Sequence, residues 1–363
     1  MNALPHTLSL IVTHRCTAAC DHCCFGCNPQ EDLSIPPDRI ALYIDQAREV
    51  PSYKSVVFTG GECFLLGKHL DELVLRAANY GYNTRFVSNG YWAVSMEIAR
   101  KRLDRLVASG LREANFSTGD AHAAWVKPEY VRNGAIAAAE RGLRTCIMVE
   151  TFKESKFDFE SFVGDPEFRK WLDTGMIIVK CSPWMTFFGR QELSYSEKYV
   201  HRQQTHTVGC STVLKVTAIT PSEDLVMCCG LTMEEIPELH IGSLKERSIK
   251  QLIDDSPNDL LKIWIHLDGP MSVLRYVKSQ IPDFVIPSDK AHICDQCRFL
   301  YKSPEVKRVL MGGLPPNAQS LMQRYKYSLM LPASDIAMDD KIKALKSTHD
   351  VTFARKELCS VRA

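Results

Sequence analysis

The chain has 363 residues, which is enough for one large domain and a smaller one. Hydrophobic residues make up 45% and charged residues 24%, the ordinary composition of a soluble globular protein. Lysine and arginine (44) nearly balance aspartate and glutamate (43), so the charge gives no sign of a nucleic-acid or membrane-surface partner. No apolar run is long enough to span a membrane and no signal peptide is evident, which predicts a cytoplasmic protein.

Short apolar runs alternate with helical patterns as far as about residue 190. The predicted strands are Thr7–Thr13, Ser55–Thr59, Thr84–Ser88, Glu113–Ser117, Thr145–Glu150 and Met176–Lys180. The predicted helices are Pro37–Val50, Lys68–Tyr80, Ser95–Ser109, Pro128–Arg141 and Phe159–Asp173. Because each crossover between parallel strands needs a helix, this rhythm predicts an α/β fold with a parallel sheet. Ligands of such folds bind at the carboxyl ends of the strands.

Three cysteines, Cys16, Cys20 and Cys23, follow the first predicted strand in the pattern C-x3-C-x2-C. Iron–sulfur clusters select thiolate ligands, and three thiolates can hold three irons of a [4Fe–4S] cube. The fourth iron then stays open to a small molecule, which indicates chemistry rather than plain electron transfer. The alternative is a chain that carries three close thiols without a metal. A cytosolic location favours metal ligands over disulfides for the 14 cysteines, because that compartment keeps thiols reduced.

A second motif, Thr59-Gly60-Gly61-Glu62, follows the second predicted strand. Together with the cysteine loop it resembles the radical S-adenosylmethionine (SAM) superfamily, where the cysteine motif follows the first barrel strand and Gly-Gly-Glu the second. The resemblance implies a partial (β/α)6 barrel. It also implies that SAM chelates the open iron and that reduction of the cluster cleaves SAM. The product of that cleavage is a 5′-deoxyadenosyl radical, which takes a hydrogen atom from the substrate.

The resemblance also assigns SAM contacts. Glu62 is expected to accept hydrogen bonds from the methionine ammonium, beside Gly60 and Gly61, whose backbone lets a ligand approach closely. His22 stands before the third cysteine, where the family usually has an aromatic that packs on adenine; a surface imidazole is the alternative. The further expected contacts are Ser88, Asn89 and Ser117. Each of these also fits an ordinary turn.

Asp120 and His122 follow the fourth predicted strand and are candidates to face the substrate. An aspartate or histidine there would act as a base or a hydrogen-bond donor. The alternative is that Asp120 only caps a helix. Glu150, which ends the fifth strand, either reaches into the barrel mouth or lies in solvent.

A second group of cysteines comes after the alternation of strands and helices has stopped. Its members are Cys210, Cys228, Cys294 and Cys297, with a predicted β-hairpin (Val213–Ile219 and Leu225–Met227) between the first two. Four thiolates fit a fully ligated [4Fe–4S] cluster, and zinc is the competing metal. The arrangement resembles the twitch module, a shortened SPASM domain with a single auxiliary cluster. Cys229 beside Cys228 leaves the ligand ambiguous by one residue.

These patterns divide the chain into three predicted parts. They are a radical SAM core at 1–205, a twitch/SPASM-like auxiliary cluster module at 206–300 and a helical C-terminal extension at 301–363. Helices are predicted in the extension at Pro304–Leu310 and Ala318–Leu331. The remaining cysteines are Cys24, Cys27, Cys63, Cys146, Cys181 and Cys359. Most are expected to be small buried hydrophobic residues, and one is a candidate hydrogen-atom donor.

The predicted function is oxidation of a peptide or protein side chain, with the auxiliary cluster as electron acceptor and a flavodoxin or ferredoxin as electron donor. The alternative within enzymes is a dehydrogenase or epimerase of a small natural product of the aminocyclitol or sugar type. A different class, a non-catalytic iron–sulfur electron-transfer or scaffold protein, is disfavoured by the intact Gly60-Gly61-Glu62 beside an open three-cysteine site.

Overall fold

The computed structural model describes residues 5–190, 192–205, 208–256 and 259–330. Cys359 and the end of the predicted C-terminal extension lie outside these residues. The strands are β1 (Thr7–Ile11), β2 (Ser55–Thr59), β3 (Asn83–Ser88), β4 (Glu113–Thr118), β5 (Arg144–Thr151), β6 (Ile177–Pro183), β7 (Val216–Ile219), β8 (Asp224–Val226) and β9 (His240–Ser243). Helices of the first half are α1 (Pro37–Ala47), α2 (Lys68–Asn79), α3 (Met96–Ala108), α4 (Asp120–Ala123), α5 (Pro128–Glu140), α6 (Phe159–Gly164) and α7 (Pro166–Asp173). Those that follow are α8 (Glu197–Thr205), α9 (Ile249–Asp255), α10 (Leu260–Gln280), α11 (Ile293–Lys302), α12 (Pro304–Met311) and α13 (Ala318–Met330).

All described strands belong to one sheet in the order β6-β5-β4-β3-β2-β1-β7-β8-β9. Strands β1 to β6 pair in parallel with their sequence neighbours, which confirms the predicted parallel α/β sheet. Strand β7 pairs in parallel with the free side of β1, and β8 and β9 follow antiparallel. The sheet therefore runs without a break across the predicted boundary at 205/206, and the predicted division into domains stays a prediction.

Strand β1, inside the sheet, is buried on both of its faces. Leu8, Leu10 and Ile11 of β1 are fully buried, as expected for a parallel strand covered by helices. Helix α1 shows how the covering works: Ile40, Tyr43, Ile44 and Ala47 are buried on one side of the helix. The carboxyl ends of the strands, with the loops that follow them, remain at one edge of this core.

The predicted helix Phe159–Asp173 is wrong, because the structure has two helices there. Asp165 ends α6 and caps α7, where its side chain accepts a hydrogen bond from the Phe168 backbone N–H at 2.9 Å. Pro166 follows at the first position of α7, where its missing N–H costs nothing. A strong cap plus a proline therefore restarts the helix.

The predicted hairpin after Cys210 is present as β7 and β8. Its first strand begins later than predicted, at Val216, because Leu214 has a φ of 66°, outside the extended region. Helices α10 to α13 pack on the hairpin side, with Leu274, Leu321 and Tyr325 in a second apolar core that also contains Ile11. Within the described ranges, none of the helices combines the length and the apolar character that crossing a bilayer requires.

Candidate active site

A cavity of about 1080 Å³, counted with its open mouth, lies at the carboxyl ends of the strands. The cysteine loop after β1 and the ends of β2, β3 and β4 form most of its wall. The predicted site residues that line it are Cys16, Cys20, His22, Cys23, Gly60, Gly61, Ser88, Asn89, Ser117 and His122. The structure thus brings ten of the predicted residues to one place. Glu62 and Asp120 are not among them.

Backbone contacts join the start of the cysteine loop to the segment that follows it. Its start pairs with a later segment through the Cys16 N–H to Asn28 carbonyl bond (3.1 Å) and the bridge between Thr13 and Ser34. Burial raises the pKa of Cys16 to about 11 and also raises that of Cys20, so these thiols stay protonated unless a metal pulls the proton off.

Three observations fit an iron–sulfur cluster with SAM in this cavity. Three thiols line it together. Cys16 Sγ already accepts hydrogen bonds from the Ala18 N–H (3.4 Å) and from Asn89 Nδ2 (3.5 Å), as cluster thiolates do. His22 Nδ1 is buried and, among the described residues, has no hydrogen-bond partner, so a ligand in the cavity can supply one.

Gly60 and Gly61 are needed for contact between the β2 end and the cysteine loop. Gly61 N–H donates to the Thr13 carbonyl at 2.7 Å, and Glu62 N–H donates to the Arg15 carbonyl at 3.0 Å. A Cβ on Gly61 would lie 2.3 Å from the Arg15 carbonyl oxygen, and one on Gly60 would lie 2.5 Å from that of Thr13. Only glycine therefore allows these two backbones to meet.

We expect Gly61→Ala to destabilise the fold by roughly 1–3 kcal/mol and to reduce cluster loading, because the new methyl group pushes the cysteine loop away. The matched control is Gly164→Ala at the end of α6, where a Cβ would meet nothing within 4 Å. Iron content and thermal melting of the two variants measure the effect. Equal melting and equal iron content in both variants would show that the contact is unimportant.

Glu62 is not among the residues that line the cavity, and the predicted contact between its carboxylate and the methionine ammonium stays a prediction. The side chain is fully buried. Its Oε2 accepts hydrogen bonds from Ser88 Oγ (3.0 Å) and the Asn89 N–H (2.9 Å), and its Oε1 accepts one from the Phe64 N–H (3.0 Å). With these donors around it, the carboxylate links the end of β2 to the end of β3 from behind the site.

Burial raises the pKa of Glu62 from 4.5 to about 7. A carboxyl group with a raised pKa in the folded state takes up a proton on folding, so stability falls as the pH rises through this window. We expect melts of the cluster-free protein to show this fall between pH 4.5 and about 7, and Glu62→Gln to remove part of it. If the melting temperature of Glu62→Gln changes with pH just as that of the parent does, Glu62 does not have the raised pKa.

His122 and Glu150 form a partly buried ion pair at the cavity. His122 Nδ1 lies 2.8 Å from Glu150 Oε2, and Glu150 Oε1 accepts the N–H groups of Ala121 (2.6 Å) and His122 (3.1 Å). Burial disfavours the imidazolium, but the Glu150 carboxylate outweighs it and raises the pKa of His122. Glu150 thus holds the His122 ring, which lines the cavity, in place.

Asp120 is not among the residues that line the cavity, and its predicted role toward the substrate stays a prediction. Its Oδ1 accepts the Lys156 N–H at 2.7 Å and its Oδ2 accepts the Ser155 hydroxyl, so the carboxylate holds the loop after β5. It does not cap α4 either, because Gly119 occupies the cap position and Glu150 accepts the first N–H groups.

Trp184 and Cys229 are among the cavity residues that the sequence analysis did not predict. Trp184, just after β6, lines the cavity and donates from Nε1 to the His22 carbonyl at 2.6 Å. Cys229 also lines it, and its Sγ lies 3.2 Å from Ser9 Oγ of β1. No motif marks Trp184, whereas the doubled Cys228-Cys229 was a signal that two sulfurs serve two places.

The second group of cysteines lines one small cavity of about 380 Å³. Its sulfur-bearing residues are Cys210, Cys228, Cys294 and Cys297. Cys228 Sγ accepts the Gly230 N–H at 3.2 Å, and backbone N–H groups of Leu231 and Thr232 hydrogen-bond to the Cys294 thiol. Cys228 rather than Cys229 belongs to this group. Among the described residues, no three His, Cys, Asp or Glu side chains lie close enough to share a single metal ion.

Arg298 joins the second cysteine group to the first cavity. It lies on α11 with Cys294 and Cys297, and it donates to the Thr186 carbonyl (2.9 Å) and to Asp295 Oδ1 (2.6 Å). Thr186 lies two residues after Trp184, which lines the first cavity. Disturbing α11 is therefore expected to disturb that wall.

Comparisons with known proteins agree with this geometry. Residues 10–149 match the model of the Radical SAM superfamily. The chain is 22% identical over 309 residues to a Bacillus subtilis (strain 168) protein provisionally named peptide biosynthesis protein YydG, covering 82% of this chain and 93% of that protein. The solved structure of native anSMEcpe with bound AdoMet and Cp18Cys peptide is similar in fold, with a TM-score of 0.51, 10% identity and coverage of 84% and 98%. Over residues 10–149 the chain is thus similar to the radical SAM superfamily, whose enzymes use a [4Fe–4S] cluster and SAM.

Proposed function

We propose that this radical SAM enzyme oxidises a side chain of a peptide or protein and that an auxiliary [4Fe–4S] cluster takes up the resulting electron. The observation that carries the proposal is the position of Gly230, which lines both the SAM cavity and the four-cysteine cavity. A Cβ on Gly230 would lie 3.1 Å from Cys294 Sγ and 3.3 Å from Cys228 Sγ. The backbone at Gly230 thus lies between the SAM cavity and the four-cysteine cavity, and an electron would have only a short path from one to the other.

The residues of the first cavity have separate tasks. Cys16, Cys20 and Cys23 would hold three irons and leave the fourth for SAM. Together, the cluster and SAM supply a radical that removes a hydrogen atom from the substrate. The ring of His122, held by Glu150, would donate a hydrogen bond to the substrate inside the cavity.

The peptide substrate is suggested by the name of the Bacillus subtilis relative, which matches this chain over most of its length. A cytoplasmic location and a flavodoxin or ferredoxin donor stay predictions. A small natural-product substrate is the competing possibility, and it enters the test below as an outcome.

The test is an anaerobic assay of the reconstituted protein with SAM, dithionite and the short peptides encoded by neighbouring genes. We expect 5′-deoxyadenosine and a peptide lighter by two hydrogen atoms. Absence of 5′-deoxyadenosine would favour a non-catalytic iron–sulfur protein. Turnover of a sugar-type compound with no change in any peptide would replace the peptide with a small substrate.

A second function, epimerisation of a peptide residue, is favoured by Cys229. Its sulfur lies at the wall of the SAM cavity, and burial raises its pKa, so it stays a thiol that can give up a hydrogen atom. Cys229 would return a hydrogen atom from Sγ to the substrate carbon radical. The sulfur radical left behind would then take up one electron and one proton, supplied by the external donor and solvent.

Turnover in deuterium oxide separates the two functions. Oxidation removes two hydrogen atoms and adds no deuterium, whereas hydrogen return from Cys229 leaves the composition unchanged except for one deuterium at the inverted carbon. In the second case Cys229→Ala should stop product formation but not SAM cleavage. Cys24→Ala, at another thiol of the same cavity, is the control and should retain product formation.

A further inference from the structure

We propose that the side-chain amide of Asn89 sets the reduction potential of the catalytic cluster by hydrogen bonding to Cys16, an inference that rests on the proposed cluster. The sequence pattern favoured a SAM contact or a turn for this residue. The structure instead places Asn89 Nδ2 3.5 Å from Cys16 Sγ, in a buried position. Asn89 is thus a positioning residue, which acts on the cluster through one of its ligands.

The orientation of the amide is determined by its other contacts. Asn89 Oδ1 accepts the Tyr91 N–H at 3.0 Å, so the oxygen cannot be exchanged with the nitrogen. The NH2 group therefore points toward the cysteine loop, where it also donates to Thr17 Oγ1 at 3.0 Å. Two donor hydrogens thus serve two acceptors, and the sulfur of Cys16 is one of them.

The position of the whole residue is fixed from behind by Glu62. The Asn89 N–H donates to Glu62 Oε2 at 2.9 Å, and Asn89 is only 5% exposed. The buried carboxylate of the Gly-Gly-Glu motif therefore holds in place the residue whose side-chain amide donates to Cys16 Sγ. A continuous set of hydrogen bonds then runs from Glu62 through Asn89 to Cys16.

The physical effect follows from the charge of the reduced cluster. Reduction adds an electron to the cluster, and part of the added charge resides on the ligand sulfurs. A donor aimed at Cys16 Sγ stabilises this more negative state more than the oxidised state, which raises the reduction potential. The Ala18 N–H acts on the same sulfur, but only the Asn89 donor can be removed by a side-chain substitution.

The test is a redox titration of the reconstituted protein without SAM, followed by electron paramagnetic resonance. The catalytic cluster is recognised afterwards by the change that added SAM causes in its signal. We expect Asn89→Leu, which keeps the shape but has no donor, to lower the equilibrium constant of reduction by about tenfold, equivalent to about 59 mV for one electron. Asn89→Asp should also lower the potential, because it replaces the donor with a negative charge. If leucine prevents cluster loading, the aspartate variant decides the question.

Asn133→Leu is the matched control, because it removes the same kind of amide at a residue that does not line the cavity and whose Nδ2 donates to the Ala93 carbonyl at 3.1 Å. Its potential should match that of the parent. An unchanged potential in the Asn89 variants, with SAM affinity alone reduced, would overturn the inference and return Asn89 to a SAM contact. A parent protein without a SAM-responsive cluster would instead refute the proposed function.

Discussion

Replacement of Cys16, Cys20 and Cys23 with alanine is expected to abolish SAM cleavage and to remove about four irons per chain, the content of one cube. The three thiols line one cavity, and their loop is hydrogen-bonded to the backbone of the β2 end through the Gly61 N–H. Without thiolates no iron remains there to bind SAM. Iron analysis and release of 5′-deoxyadenosine measure the two effects.

The control for this experiment is Cys24→Ala, which removes a neighbouring thiol of the same cavity that lies outside the C-x3-C-x2-C pattern. It should keep both the iron and the activity. SAM cleavage at the parent rate by the triple variant would mean that the catalytic cluster is held elsewhere in the chain.

Replacement of Cys294 and Cys297 with alanine is expected to lower the iron content from about eight to about four per chain and to stop product formation. The variant should still release 5′-deoxyadenosine in the absence of substrate, because the first three cysteines are untouched. Product formation fails for two reasons. The proposed electron acceptor is lost, and α11, whose Arg298 supports the segment that begins at Trp184, loses its cluster.

Cys229→Ala is the matched control for iron binding. Its sulfur faces Ser9 rather than the four-cysteine cavity, so this variant should keep about eight irons, whereas Cys228→Ala should not. Circular dichroism must show that each variant is folded, since a metal site also stabilises its module. Zinc in the anaerobically purified protein, or full product formation by the Cys294/Cys297 variant, would refute the acceptor role. Epimerisation with Cys229 as hydrogen donor would then be favoured.

Much of the fold could be predicted because its signals are local. Strand β2 was predicted at its exact ends, and β3 to β6 were found to within a few residues, since each is a short apolar run between helical patterns. The cysteine loop and Gly60-Gly61 were identified as parts of one site because their spacing places both at the carboxyl ends of adjacent strands. The chain order of residue types was sufficient for these conclusions.

Side-chain direction could not be predicted in the same way. Glu62 looked like a ligand-binding carboxylate, yet the donors at the end of β3 turn it inward. Asp120 follows β4 and Glu150 lies near the end of β5, and only the packing of those strands decided that Glu150 rather than Asp120 holds His122.

The two adjacent sulfurs show most clearly what each level decided. The sequence by itself determined that thiols occur in a loop with three cysteines and in a later group, and hence which chemistry the chain can support. It left Cys228 and Cys229 equivalent. The tertiary structure separated them: Cys228 lines the four-cysteine cavity, whereas Cys229 Sγ lies 3.2 Å from Ser9 Oγ of β1. The partners of both sulfurs, Cys294 and Cys297 on one side and Ser9 on the other, are far away in the chain, so only tertiary packing determines which partner each sulfur meets.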